Sequence, residues 1–303
     1  MLTFKKPEIS DKKWIDEILK PDDLRNADIC FTNIFLWCDG IGAAIARVGD
    51  RIILRAGEGD SCRYSFPSGK GDLKPAIEAI FEDALSLGAC PCMRGVPTKY
   101  VDAINELYGG KFELVPETNS YDYVYSAQLL AEPKGKKLHS KKNHMNRFIA
   151  ENEEWSFEPI TAENLPECRE MADEWMKKNH EKIEDSYLDE EIALEKMFNN
   201  FDALGLEGGV LRAGGKVVGF TVGEVINSDT FVTHFEKAYA DINGAYPMVN
   251  REFARQILKN HPEMVYINRE EDMGLEYLRK AKQSYCPEFM VEKFIVKWKK
   301  ECF

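Results

Sequence analysis

The stretch TFVTHFEKA, residues 230–238, brings a histidine, a glutamate and a lysine together in a strand-like run. With period-two alternation, Val232, His234, Glu236 and Ala238 share one face, and Thr233, Phe235 and Lys237 share the other. A carboxylate such as Glu236 can take a proton as general base. Lys237 can steady a developing oxyanion or hold a phosphate. The plainer reading makes Glu236 and Lys237 a partly buried ion pair that fixes the sheet, with His234 a core or boundary residue.

A second group lies in YINREEDMGLEYLRKAK, residues 266–282. Asn268, Arg269 and Glu270 fall where a strand ends, the side of a layered sheet that borders a ligand crevice. Arg269 and Arg279 can grip a carboxylate or phosphate with two prongs. Alternatively, Glu271, Glu276, Arg279, Lys280 and Lys282 form a solvated helix face. Tyr246 and Asn250 share a face near a helix start, able to position an acyl or phosphate group or to face water.

The third group is KGKKLHSKKNHMNRF, residues 134–148, with Lys134, Lys136, Lys137, Lys141, Lys142 and Arg147 and no acidic residue. The whole chain carries 40 Lys+Arg against 52 Asp+Glu, a net charge of −12, so this concentration is unusual. Read as one helix, Lys134 and Leu138, Lys137 and Lys141, and Asn143 and Arg147 are spaced i,i+4, anchored by Leu138, Met145 and Phe148. Such a run binds phosphates by neutralisation and counterion release. Without interleaved aromatics it suits a backbone or diphosphate better than bases. A solvated linker helix offsetting Glu151, Glu153 and Glu154 is the plainer alternative.

Metal chemistry is not indicated. Of the eight cysteines, Cys90-Pro-Cys92 is the close pair, and the five histidines, His180 among them, show no ligand spacing. Gly69-Lys70-Gly71 lacks the spacing of a phosphate-binding P-loop.

These groups need elements to position them, and the elements repeat. AIARVGDRIILRAGE (44–58) and GVLRAGGKVVGFTVGE (209–224) both read as hairpins with glycine turns. KPAIEAIFEDALSLG (74–88) and YPMVNREFARQILKN (246–260) both read as helices with Pro75 and Pro247 in the first turn. Each is followed by a short strand, a helix and a closing strand, YDYVYSAQLL (121–130) and FMVEKFIVKW (289–298). The pattern predicts a duplicated α/β (α+β) fold with mixed sheets. Its expected parts are 1–132, a basic connecting helix at 133–150, and 151–303. Trp14, Trp37, Trp155, Trp175 and Met197 are assigned to cores.

At 303 residues, 44% hydrophobic and 30% charged, the composition is that of a globular protein with room for two cores. No run reaches the roughly 18 apolar residues of a membrane span. The N-terminus lacks a signal-peptide core. A cytoplasmic protein is expected.

The motifs THFEKAYADINGAYPMVNREFA, YINREEDMGLEYLRKAKQSYCP and KGKKLHSKKNHMNRF resemble a bacterial family related to the C-terminal domain of phosphatidylglycerol lysyltransferases. That resemblance implies two tandem GNAT-like domains, akin to the Fem-type transferases that move an amino acid from aminoacyl-tRNA to an amine or hydroxyl. It implies catalytic roles for Glu236 as base toward an amine, Lys237, and Tyr285 as acid toward the leaving group. It implies substrate binding by Lys136, Lys137, Lys141, Lys142, Arg147, Tyr246, Asn250, Asn268, Arg269, Glu270, Arg279 and Lys282. The lysyltransferases carry a membrane-spanning portion ahead of this domain, and no such stretch occurs here, which counts against a lipid acceptor.

Acetyl-CoA-dependent GNAT proteins use a [Q/R]-x-x-G-x-[G/A] loop, and here the register is Asp241-Ile242-Asn243-Gly244-Ala245-Tyr246. A carboxylate would repel pyrophosphate and a tyrosine would crowd it. The expectation is an aminoacyltransferase with aminoacyl-tRNA as co-substrate and no required cofactor or metal. An acyl-CoA-dependent N-acyltransferase, or a non-catalytic binder of an anion, are the alternatives. Expected partners are tRNA or a phosphorylated small molecule, not DNA.

Overall fold

The computed structural model describes residues 2–179 and 187–299; His180 and Cys302 lie outside them. The chain begins with α1 (Lys12–Leu19), α2 (Phe31–Trp37), β1 (Ala44–Val48), β2 (Arg51–Ala56), β3 (Arg63–Ser65) and α3 (Leu73–Ser86). It continues with β4 (Cys92–Pro97), α4 (Thr98–Tyr108), β5 (Phe112–Pro116), β6 (Asp122–Ser126), α5 (Ala127–Ala131) and α6 (His139–Glu151). Then come β7 (Trp155–Pro159), α7 (Leu165–Asn179), α8 (Tyr187–Asn199), α9 (Phe201–Leu204), β8 (Glu207–Ala213) and β9 (Lys216–Val225). The last are β10 (Thr230–Ala238), α10 (Ala245–Asn260), β11 (Tyr266–Asn268), α11 (Glu276–Gln283), β12 (Phe289–Val291) and β13 (Lys293–Trp298).

The hairpins and helices predicted from sequence are present. Gly49 turns β1 into β2 at φ +57°, and Gly214 and Gly215 turn β8 into β9 at φ +55° and +76°. Asp72 caps α3 through the Lys74 N–H. Both sheets are mixed: β3 runs parallel to β4 and β10 parallel to β11, while every other described pairing is antiparallel.

The chain divides into two compact units, one of 1–122 with 291–303, the other of 123–290. The first holds a sheet of order β1-β2-β3-β4-β13-β5, the second a sheet of order β12-β6-β11-β10-β9-β8-β7. Read in reverse, the second order matches the six strands of the first, with β7 added at one edge, but the closing strands are exchanged. β6 lies in the second sheet and β13 in the first, so the contiguous division at 132 and 150 is not the one observed. Core packing shows why. Val296 and Trp298 of β13 are buried with Tyr64, Met93 and Ile104, whereas Tyr123 and Tyr125 of β6 are buried with Phe253 and Ile267.

The basic stretch is not one helix. Lys136–Leu138 form a single 3-10 turn after Gly135 at φ +83°, and α6 begins at His139. Leu138, Met145 and Phe148 are its buried anchors, as expected.

Candidate functional site

In the second unit, β10 and β11 pair only from Thr230↔Tyr266 to Val232↔Asn268. β10 then continues to Ala238 while β11 ends, so a gap opens between β10 and the 269–272 loop. The register of β10 against β9 slips between Thr233 and Phe235, making His234 the extra residue of a β-bulge. A bulge re-aims the side chains that follow it. Val232 now shares a face with Phe235 and Lys237, opposite Glu224, Val222 and Phe220, while Glu236 opposes Thr221 on the other face. The strict alternation expected for 230–238 therefore breaks at His234.

Glu236 and Lys237 do not pair. Glu236 reaches across the gap: its Oε1 accepts from Arg269 Nη2 at 2.7 Å and its Oε2 from Asn250 Nδ2 at 3.2 Å. Asn250 is thus buried against the site rather than turned to water. Lys237 pairs with Glu190 of α8 on the opposite face, its Nζ 3.8 Å above the Trp175 ring. Burial lowers the Lys237 pKa, against the pull of Glu190. The Trp175 indole N–H donates to the Ala238 carbonyl and the Tyr246 hydroxyl, both at 3.1 Å. Tyr246, held there, has a phenol pKa pushed by burial to about 12.

His234 bridges Glu270 at 2.9 Å and Glu224 at 3.2 Å. Burial alone would lower its pKa, but the two carboxylates outweigh burial and raise it to about 9. The ring is therefore an imidazolium at neutral pH, a charged tie between β9, β10 and the loop.

Arg269 is enclosed. Its Cζ stands 4.7 Å from the Tyr285 ring centroid and 5.6 Å from that of Tyr125. Burial opposes its charge, and Glu236 with the two tyrosines more than compensates, so its pKa is raised. The loop carrying it is shaped by Lys282, whose ammonium donates to the carbonyls of Arg269, Glu270 (3.1 Å) and Glu271 (2.5 Å). Glu270 sits at φ +57°, its N–H donating to Asn268 Oδ1 at 2.7 Å. Arg279 does not join Arg269: it forms a two-pronged pair with Asp272 at 2.8 and 3.0 Å. Arg279 and Lys282 thus fix the loop rather than face the gap.

Tyr285 is buried against Tyr125 at a ring distance of 6.4 Å, and burial drives its phenol pKa up, with Arg269 opposing. On its ring sits Lys141, Nζ 3.9 Å from the centroid. α6 thereby delivers one lysine of the basic run into the gap. Burial first, then Arg269, lower the Lys141 pKa to about 8, with Glu236 and Cys286 acting the other way. Lys136, Lys137 and Lys142 stay exposed. Arg147 is drawn to Glu151 at 2.6 Å, as the plainer reading of the run has it.

The 241–246 loop closes on itself. The Ile242 N–H donates to the Tyr239 carbonyl at 3.2 Å and the Ala245 N–H to the Ile242 carbonyl at 3.1 Å. α6 lies against it so closely that a Cβ on Gly244 would stand 2.2 Å from the His144 carbonyl oxygen. A cavity of ≈ 700 Å³ beside the loop is lined by Arg147, Glu151, Asp241 and Asn243 among others.

Sequence reasoning missed Tyr125, Glu190 and Glu224, and it placed Trp175 only in the core. The tyrosines at 121, 123 and 125 have a period-two spacing that marked Tyr125 as facing inward with Tyr123; nothing marked Glu190 or Glu224. Among the described residues, no helix is long and apolar enough to cross a membrane.

The family profile described as phosphatidylglycerol lysyltransferase, C-terminal, matches residues 23–297. A crystal structure of a conserved protein of unknown function from Bacteroides thetaiotaomicron is similar over 99% of this chain and 100% of its own, at 37% identity and TM-score 0.91. The structure of L-PGS from Bacillus licheniformis shares the fold over 98% of this chain and 93% of its own, at 15% identity and TM-score 0.65. An uncharacterised protein of Mycoplasmoides gallisepticum is 24% identical over 61% of this chain, and the match spans 58% of that relative's length. The duplicated mixed-sheet fold is the tandem GNAT-like architecture expected from sequence.

Proposed function

The chain belongs to the phosphatidylglycerol lysyltransferase C-terminal family, and from that premise we propose an aminoacyltransferase that moves the aminoacyl group of an aminoacyl-tRNA to an amine or hydroxyl acceptor. The observation that carries this reading is the double use of the basic segment. Lys136, Lys137 and Lys142 stand exposed for a phosphate backbone, while Lys141 of the same segment enters the gap holding Glu236, Arg269 and Tyr285. A polyanion docked on the outer lysines would bring its 3′ end to that gap.

The loop geometry favours this donor over acyl-CoA. The Ile242 and Ala245 amides of the loop are spent on carbonyls of the same turn, and Asp241 adds negative charge at the adjoining cavity, where Glu151 is paired with Arg147. Glu236, Asn250 and Arg269 are assigned to orienting the acceptor, and Tyr246 with Trp175 to closing the far wall.

The test is filter binding of bulk charged tRNA over a salt series, with acetyl-CoA as competitor. Binding is expected to weaken with salt and to ignore acetyl-CoA. Lys136→Glu, Lys137→Glu, Lys142→Glu together should lower affinity at least about tenfold and flatten the salt slope by roughly 2–3, about one for each phosphate no longer neutralised. Intact protein that binds no tRNA at low salt would sink the proposal.

A further inference from the structure

Transfer from an ester needs a group that removes the acceptor's proton, and the gap offers few. Both oxygens of Glu236 already accept hydrogen bonds, one from the Arg269 guanidinium and one from the Asn250 amide, which tie it to the loop and to α10. Tyr285 is a buried phenol that keeps its proton. Lys237 faces the other side of the sheet, paired with Glu190. His234 is locked as a cation between two carboxylates.

Lys141 differs from all of these. It has no carboxylate within ion-pairing distance among the described residues. It is seated on the Tyr285 ring at 3.9 Å by a helix whose neighbouring anchors, Leu138, Met145 and Phe148, are buried. The titratable groups facing it are Arg269, Glu236, Tyr285 and Cys286.

We propose that Lys141 is the general base of the transfer, taking the proton of the attacking amine or hydroxyl through its neutral amine. The inference rests on the transferase reading above. The acceptor's nitrogen or oxygen forms a bond to the ester carbonyl carbon, and its proton passes to Lys141 Nζ. The bond from that carbon to the ribose oxygen then breaks, and the Lys141 ammonium returns the proton to the ribose oxygen. Atoms and charge balance, and no oxidant or cofactor enters. The local field suits the role: burial and the fixed Arg269 charge hold the lysine near pKa 8, close to the operating pH at which a base works best.

Two measurements test this separately from the transferase reading. Trace acetic anhydride labelling of the intact protein, mapped by peptide mass spectrometry over pH roughly 6 to 11, should show Lys141 half-labelled near pH 8. Exposed Lys136 and Lys137, mapped in the same samples, serve as the reference. Formation of aminoacyl hydroxamate from bulk charged tRNA and hydroxylamine, corrected for the uncatalysed rate, should rise with pH through the same value and then level off.

Lys141→Arg and Lys141→Met should each lower that rate roughly 100-fold or more, and methylamine should restore part of it to Lys141→Ala. A Lys141 that labels with the exposed lysines overturns the assignment whatever the transfer rate. Transfer that persists in Lys141→Arg with an unchanged pH profile overturns the base and leaves the transferase intact. Normal labelling with no transfer by the intact protein overturns the transferase reading, and the base with it.

Discussion

Replacing Arg269 with methionine is expected to destabilise the protein by about 3–5 kcal/mol, as when one partner of a buried ion pair is removed. The Arg269 and Glu236 side chains are only 12% and 9% exposed. The guanidinium joins β10 to the 269–272 loop across the gap where the strands part. Without it, Glu236 keeps only the Asn250 amide, and a buried carboxylate needs more than one neutral donor. Arg269→Lys should recover part of the stability, since an ammonium can pair with Glu236 but cannot lie flat between Tyr125 and Tyr285. The double variant Glu236→Gln, Arg269→Met should be more stable than Arg269→Met alone, because neither member of the pair is then left as an uncompensated buried charge. Urea unfolding of the parent, Glu236→Gln, Arg269→Met and the double variant measures this as a double-mutant cycle. Additive effects would show that the pair is not coupled.

The second large effect is expected at Lys293, which is fully buried. Its Nζ lies 2.7 Å from Asp122 Oδ1, also fully buried, and 2.7 Å from Asp28 Oδ1. Asp122 Oδ2 in turn accepts the Ala27 N–H at 2.9 Å. Asp122 opens β6 and Lys293 opens β13, the two strands whose sheet membership the sequence did not reveal. Lys293→Met removes the ammonium that faces a fully buried carboxylate, and a destabilisation of about 3–5 kcal/mol follows. Lys293→Met combined with Asp122→Asn should restore much of it, because a neutral amide still accepts from Ala27. Denaturation midpoints decide the matter, and a single variant as stable as the parent would refute the account of this pair.

What could be read from sequence was the local pattern. Glycine turns, prolines in first helical turns and the order of elements are set within a few residues, so both hairpins and both matching helices fall where expected. The exchange of β6 and β13 was hidden, because a β-branched and aromatic run fits any half-buried sheet position and does not say which sheet takes it. The bulge at His234 was hidden too, and with it the faces of Glu236 and Lys237.

In the basic run the information was present but unused. Lys141 lies four residues before Met145 and seven before Phe148, on the face of those anchors, whereas Lys142 lies six before Phe148 and is turned away from it. Arg279 illustrates the opposite failure. Its type and position suited anion binding equally well, and only Asp272, placed beside it by the turn before α11, decides that it is structural.

The central claim is that the gap between β10 and the 269–272 loop transfers an aminoacyl group from tRNA. The most direct measurement incubates the intact protein with bulk tRNA carrying labelled amino acids and an extract of small molecules and lipids, and follows the label. The account predicts that label leaves the tRNA for a ribonuclease-resistant product. It contradicts the account if the label stays on tRNA, released only at the spontaneous rate whichever acceptor fraction is supplied.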